Sequence, residues 1–135
     1  MGAIHKQSLD ANSPIWSYPT VPLGHYSTDA SAGITKQVLL GITEGAADFI
    51  VRYFTIPPGG KSAFDQHRHQ HGVVITHGTG RVLLGKNWHE VGVGDAVFID
   101  TDEIHQLEAT GADPLGFICV IPRWAESDSC AVSIK

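Results

Sequence analysis

The sequence has few cysteines, few basic residues and no long apolar run. Its two cysteines, Cys119 and Cys130, are too few and too far apart for a disulfide framework or a zinc knuckle. Nine Lys and Arg stand against fourteen Asp and Glu, and the net charge of −5 argues against nucleic acid or an anionic membrane as the main partner. No stretch of about 18 apolar residues exists that would span a membrane, and no apolar block follows Met1–Asp10 as in a secretory signal. We therefore expect a cytoplasmic protein with reduced cysteines.

Several motifs of common enzyme classes are also missing. The chain has no phosphate-binding loop, no Gly-x-Ser-x-Gly elbow and no dinucleotide fingerprint. No window reads as a capped amphipathic helix of useful length. A length of 135 residues with 42% hydrophobic content is instead typical of one globular domain that can bury a core.

The pattern of short apolar runs predicts an all-β domain. Residues 1–36 lack a sustained period and are interpreted as an N-terminal arm, and residues 125–135 as a polar C-terminal tail. Between them, residues 37–124 contain β-type runs separated by Gly-rich turns, including a strand predicted over Lys61–His67. Many short strands at this spacing favour an antiparallel sandwich or a jelly-roll barrel, which can hold one ligand in its interior.

Histidine is concentrated in one part of the chain. Six of the eight histidines lie between residues 67 and 105, and the stretch 65–71 reads Asp-Gln-His-Arg-His-Gln-His. On an extended strand its alternate residues share one face; these are Asp65, His67, His69 and His71. Imidazole and carboxylate groups are ligands of divalent transition metals, so this face is suited to such an ion. The alternative is an exposed edge strand whose histidines are merely solvated.

The spacing around this stretch is specific. Gly59 is followed after five residues by Asp65 and His67, then after three residues by His71 and after six more by Gly78. This order resembles the first motif of the cupin superfamily, in which a His-x-His pair, a Glu and two glycines occupy these places. In this sequence Asp65 stands where the motif has its first His, and His71 stands where it has Glu.

A second stretch resembles the second cupin motif. Gly94 is followed after five residues by Asp100-Thr101-Asp102, then after two residues by His105 and after three by Ala109. The Gly and His of that motif are kept, whereas its Pro, Gly and Asn are replaced by Asp100, Asp102 and Ala109. The resemblance covers residues 48–122 and implies the cupin double-stranded β-helix, or jelly-roll, barrel.

The resemblance implies a metal site with four protein ligands. They are Asp65, His67, His71 and His105, and the ion is one divalent transition metal, namely Fe, Mn, Zn, Ni or Cu. A rival register takes His67 and His69 as the His-x-His pair, but it places Val73 where the carboxylate belongs and breaks the spacing to Gly78. In the preferred register His69 is left as a general-base candidate.

Three further residues are candidates near the ion. In similar cupins the positions of Phe117 and Cys119 point into the barrel near the metal, so Cys119 is a second acid or base candidate and Phe117 a substrate contact. Cys119 can equally be a small buried hydrophobe. Arg52 is either an inward anchor for a substrate carboxylate or an outward surface charge, and bulges prevent a choice from the pattern alone.

The favoured hypothesis is a metal-dependent enzyme that acts on a small anionic or enolisable molecule. Its chemistry is expected to be that of a dioxygenase, or of an isomerase or lyase. Two alternatives stay open: a module that binds a metal and a small ligand without turnover, and a metal that only stabilises the barrel. We expect no nucleic-acid or membrane partner, and a homodimer in which the arm covers an edge strand of a second subunit.

Overall fold

Two antiparallel sheets form the framework of the protein in a computed structural model, which describes residues 1–8, 10, 12–25 and 32–126. The strands in this part of the chain are β1 (Gly24–His25), β2 (Thr35–Leu40), β3 (Phe49–Ile56), β4 (His71–His77), β5 (Thr79–Leu84), β6 (Asn87–Gly92), β7 (Ala96–Ile99), β8 (His105–Ala109) and β9 (Leu115–Pro122). Single 3-10 turns lie at Ile42–Glu44 and Arg123–Ala125. Within the described residues, no helix has the length and apolar character needed to cross a membrane.

The core lies between a six-stranded and a three-stranded sheet. The larger sheet has the order β1-β2-β3-β9-β4-β7, and the smaller sheet has the order β6-β5-β8. Strands that are far apart in the sequence, such as β3 and β9, are neighbours in the sheet. This arrangement confirms the all-β jelly-roll barrel that the sequence predicts.

Side chains of β3 and β9 show how the core is built. On β3 the alternate residues Ile50, Phe54 and Ile56 are fully buried in the main hydrophobic cluster. Phe54 lies directly opposite Phe117 of β9, and their rings stack with centroids 5.3 Å apart. Because Arg52 falls on the same alternation as Ile50 and Phe54, its side chain also points inward.

The glycines of the two motifs lie at turns that require them. Gly78 joins β4 to β5 with φ of 73°, and a Cβ there would collide with the carbonyl oxygen of Pro114. Gly59 and Gly94 also have positive φ, at 78° and 91°. The motif glycines therefore fix the ends of the segments that carry the histidines.

The strand predicted over Lys61–His67 is wrong. Only two isolated bridges form there, from Lys61 to Glu108 and from Asp65 to His105. Between them the side-chain hydroxyl of Ser62 accepts the hydrogen bond of the Leu107 N–H, so a side chain takes a place that backbone would fill in a regular ladder. The segment thus follows the edge of β8 without becoming a strand.

The described part of the N-terminal arm packs on the outer face of the larger sheet of its own chain. The backbone N–H of Trp16 donates to the Tyr53 hydroxyl, and the Gln37 amide donates to the carbonyls of Tyr18 and Val21. Ile34 belongs to the main core and β2 begins at Thr35, two residues before the predicted start of the barrel.

Candidate metal site

Three histidines of the first motif converge inside the barrel. His67, His69 and His71 are buried, and each offers one ring nitrogen within 4.8 Å of those of the others. The residues between and before them, Gln66, Arg68 and Gln70, are exposed. The alternation expected from the sequence is therefore confirmed by burial, although the chain bends at residues 68 and 69 instead of forming a strand.

The second motif brings His105 to the same place. Paired hydrogen bonds join the backbones of Asp65 and His105, with N···O distances of 3.0 and 2.9 Å. The ring of His105 lies 4.9 Å from that of His67 and 5.1 Å from that of His71, measured between centroids. Its Nδ1 lies 2.8 Å from the carbonyl oxygen of Glu103. A ring that donates from Nδ1 to a carbonyl keeps the lone pair of Nε2 for a metal.

His71 has the character of a neutral ligand. Its Nδ1 lies 3.3 Å from Sγ of Cys119, whereas its buried Nε2 has no hydrogen-bond partner within the described part of the chain. Burial is the main cause that lowers the pKa of His71 from 6.5 to about 2, and the nearby His105 and Arg52 lower it further. A buried neutral imidazole with an open nitrogen fits a divalent transition metal, which requires deprotonated ligands.

Asp65 and His69 lie on opposite flanks of His67. A carboxylate oxygen of Asp65 is 3.9 Å from Nδ1 of His67, and the Asp65 side chain is 24% exposed. The ring of His69 stacks on that of His67 with centroids 4.7 Å apart and lies at the same distance from that of His71. Both candidates for the remaining ligand are thus next to the cluster.

Cys119 connects the cluster to a buried arginine. Arg52 and Cys119 lie directly opposite each other on β3 and β9, and Nη2 of Arg52 donates to Sγ of Cys119 at 2.9 Å. Arg52 is only 1% exposed, so its inward orientation is established. Its guanidinium also lies 4.9 Å from the centre of the Phe54 ring. Phe117 lies beside this group on β9 and is buried.

The cluster lies between a small void and an open groove. The inner void has a volume of about 20 Å³ and is mainly apolar; Asp65, His71, His105, Phe117 and Cys119 are part of its lining. The outer groove has a volume of about 620 Å³, and His69 and His71 line it together with Arg68, Gln70 and Trp124. A void of this size holds about one water, whereas the groove is large enough for a small ligand.

Sequence reasoning did not single out the groove residue Arg68, and it left Trp124 open as a core residue, a dimer contact or part of a pocket rim. The guanidinium of Arg68 lies 5.7 Å from the centre of the Trp124 ring, and that ring meets the His69 ring edge-on at 6.0 Å. The signal for Arg68 was present, since alternation places it opposite the buried histidines. No local pattern indicated that Trp124, more than fifty residues away along the chain, would meet it.

The turn before His105 tolerates the loss of the motif glycine. Asp102 stands in that place with φ of 58°, a left-handed conformation that Asp adopts more readily than most residues. Its N–H donates to the carbonyl of His67, and its own carbonyl accepts from the Gln66 amide. The turn therefore still ties the second motif to the first.

The fold is that of a cupin. The cupin domain family matches residues 52–121, more than half of the chain, and includes both motif segments. The chain belongs to this family, which confirms the resemblance noted in the sequence.

Known proteins similar to this chain include one curated enzyme and two solved cupins. Over 109 residues the chain is 34% identical to the 1-methylthio-D-xylulose 5-phosphate methylsulfurylase of Rhodospirillum rubrum, and the match covers 78% of this chain and 69% of that protein. A cupin-2 domain structure from Rhodospirillum rubrum is 32% identical with a TM-score of 0.74, covering 82% of this chain and 74% of that one. A cupin 2 conserved barrel domain protein from Rhodopseudomonas palustris is also 32% identical, with a TM-score of 0.73, covering 89% of this chain and 80% of that one.

Proposed function

We propose that this cupin is a metal-dependent enzyme that acts on a small anionic or enolisable molecule. The observation that carries the proposal is the buried cluster of imidazoles, in which Nε2 of His71 has no hydrogen-bond partner among the described residues and Nδ1 of His105 is held by a backbone carbonyl. A hydrogen bond at Nδ1 fixes the orientation of a ring, and burial keeps bulk water away from the cluster. The groove that His69 and His71 line is the proposed route by which a small molecule reaches the cluster.

Asp65, His67, His71 and His105 are proposed as the ligands of one Fe, Mn, Zn, Ni or Cu ion. The separation of 3.9 Å between Asp65 and Nδ1 of His67 is compatible with a shared ion, because ligand atoms lie about 2.0–2.2 Å from such metals. When bound, the ion supplies a Lewis acid and, if it is iron or copper, a route for dioxygen. Three imidazoles and one carboxylate would leave the site with a net positive charge that attracts an anionic substrate.

Side chains of the protein are proposed to transfer the substrate proton. His69 borders the groove and is proposed as the base that removes a proton from an enolisable carbon. Cys119, which lines the inner void, is the proposed second acid or base, and Arg52 holds its sulfur in place. Phe117 lines the inner void, where only a group of one or two atoms fits, and it is proposed to meet the reacting end of the substrate there. Arg52 is proposed to act on the same end through the Cys119 sulfur that it holds.

A phosphorylated ketose is the proposed example of such a substrate. The similar enzyme from Rhodospirillum rubrum is named for 1-methylthio-D-xylulose 5-phosphate, which combines an enolisable ketone with an anionic group. Isomerase-like or lyase-like proton transfer suits this class, and dioxygenase-like chemistry is the other form of the proposal. The alternative is a cupin that binds a metal and such a ligand without turnover. The homodimer and the cytoplasmic location stay predictions.

Metal content and turnover test the proposal together. Protein purified without an affinity tag is expected to hold about one transition metal per chain and to consume dioxygen or convert D-xylulose 5-phosphate in a metal-dependent way. Asp65→Ala is expected to lower metal content, whereas His69→Ala should keep the metal and lose turnover. His89→Ala, which changes an exposed histidine on β6, is the matched control. An emptied site in His69→Ala with full metal in Asp65→Ala would overturn the ligand set.

A further inference from the structure

In this structure the room for the body of a substrate lies in the groove and not in the inner void. The void behind the histidines has a volume of about 20 Å³, which is enough for about one water. The groove in front of them has about 620 Å³, within the usual range of small-molecule sites. A substrate that reaches the cluster with its reacting end therefore leaves its remaining groups in this groove.

Among the described residues, the lining of the groove has one fixed positive charge and no acidic side chain. Arg68 is the only Lys or Arg among the described residues that line it, and none of those residues is Asp or Glu. This is notable in a chain with a net charge of −5. No described carboxylate lies within ion-pair distance of Arg68, whereas Arg81 on β5 pairs with Glu108 at 2.8 Å.

The Arg68 guanidinium lies within cation–π distance of the Trp124 ring. The cation lies 5.7 Å from the centre of the Trp124 ring, and the ring in turn contacts His69. A guanidinium over an aromatic face keeps its N–H donors directed outward from its edge, where they match the oxygens of a phosphate. The amide of Gln70 and the side chain of Thr101 add polar groups to the same wall.

We infer that Arg68, held over Trp124, binds the phosphate monoester of the substrate and so determines its specificity. The inference rests on the proposed function, because it assigns the anionic end of the same substrate. Arg52 cannot take this role from the groove, since it is 1% exposed and its Nη2 donates to Cys119. Arg68 then acts at the mouth of the site and Arg52 at its inner end.

The test compares ligands with and without the phosphate. Metal-loaded wild-type protein and the variants Arg68→Gln, Arg68→Lys and Arg81→Gln are titrated with D-xylulose 5-phosphate and with D-xylulose by calorimetry. Arg81→Gln is the matched control, because it removes the same charge from a guanidinium that lies 4.0 Å from the Trp88 ring on the other sheet. Metal content and the urea midpoint of each variant are measured alongside.

Arg68→Gln is expected to raise the Kd for D-xylulose 5-phosphate by about ten- to a hundredfold and to leave that for D-xylulose unchanged. Arg68→Lys should recover part of the loss, and Arg81→Gln should match the wild type. Binding of the phosphate should also change the Trp fluorescence, and Trp124→Phe should remove that change.

The inference is overturned if Arg68→Gln binds D-xylulose 5-phosphate as tightly as the wild type, or if Arg81→Gln weakens it equally. It is also overturned if the wild type prefers the phosphorylated ketose no more than the free one. Failure of the proposed function gives a different result: wild-type protein shows no metal-dependent turnover, while the effect of Arg68→Gln on Kd remains.

Discussion

Acidification is expected to destabilise the metal-free protein through His71. Burial, followed by the charges of His105 and Arg52, lowers the pKa of His71 from 6.5 to about 2 in the folded protein. In the unfolded chain the ring binds a proton as the pH falls below 6.5. The unfolded state therefore holds more protons than the folded state between these two values, and the free energy of unfolding falls as the pH falls. The stabilisation is fully present only above pH 6.5.

The size of this loss of stability follows from the one proton that His71 binds in the unfolded chain. Each pH unit below 6.5 removes about 1.4 kcal/mol, so lowering the pH from about 7.5 to about 5 costs about 2 kcal/mol. Proteins of this kind have unfolding free energies of about 5–15 kcal/mol, so the loss is a large fraction of the total. In urea it corresponds to a shift of the midpoint by about 1 M.

Urea unfolding of metal-free protein at several pH values measures this loss. In His71→Gln the free energy lost over the same range should be smaller by about 2 kcal/mol, because the variant has no ring to protonate in the unfolded state. His89→Gln, on the exposed strand β6, is expected to keep the wild-type dependence. If His71→Gln loses as much free energy as the wild type, the account of His71 as a neutral buried ring is refuted.

Two predictions concern turns that hold the site. Asp102→Gly should raise the unfolding free energy by up to about 1 kcal/mol, because glycine adopts the φ of 58° at this position without strain, and Asp102→Val should lower it. Thermal unfolding measures both changes, and a lower midpoint for Asp102→Gly would contradict the reasoning. Gly78→Ala should destabilise by more than about 2 kcal/mol, because its Cβ meets the Pro114 carbonyl at a positive φ. Gly92→Ala, with open space around the Cβ, is its control in urea unfolding, and equal losses in the two variants would show that the Pro114 contact is unimportant.

The inward face of the metal segment could be predicted because side-chain direction depends only on alternation. His67, His69 and His71 are buried as the pattern indicates, even though only His71 lies in a regular strand. The strand over Lys61–His67 was wrong because the Ser62 hydroxyl takes one of the backbone bonds of β8. Local β propensity does not predict that a side-chain hydroxyl will replace a backbone group as the hydrogen-bond acceptor.

The position of the His69 ring and the direction of the Arg52 side chain could be determined only from the three-dimensional structure. Spacing places His69 two residues after His67, at a motif position that supplies no ligand in the preferred register. The bend at residues 68 and 69 nevertheless brings its ring 4.7 Å from those of both His67 and His71. Arg52 could face either way until its pairing with Cys119 was known. Ile34 was assigned to the arm because residues 1–36 lack a period, yet a single apolar residue before β2 completes the core.

The alternating stretch 65–71 places buried and exposed residues at separate positions, so the two sets can change independently in evolution. Its odd-numbered residues hold the buried cluster, and its even-numbered residues, Gln66, Arg68 and Gln70, face solvent. Substitutions at Arg68 and Gln70 can therefore change the wall of the groove while the buried histidines keep their places. Gln66 differs, because its amide donates to the Asp102 carbonyl and helps to hold the turn before His105. A library randomised at the codons of Arg68 and Gln70 would vary the groove around a constant histidine cluster, which makes this short segment a practical starting point for directed evolution.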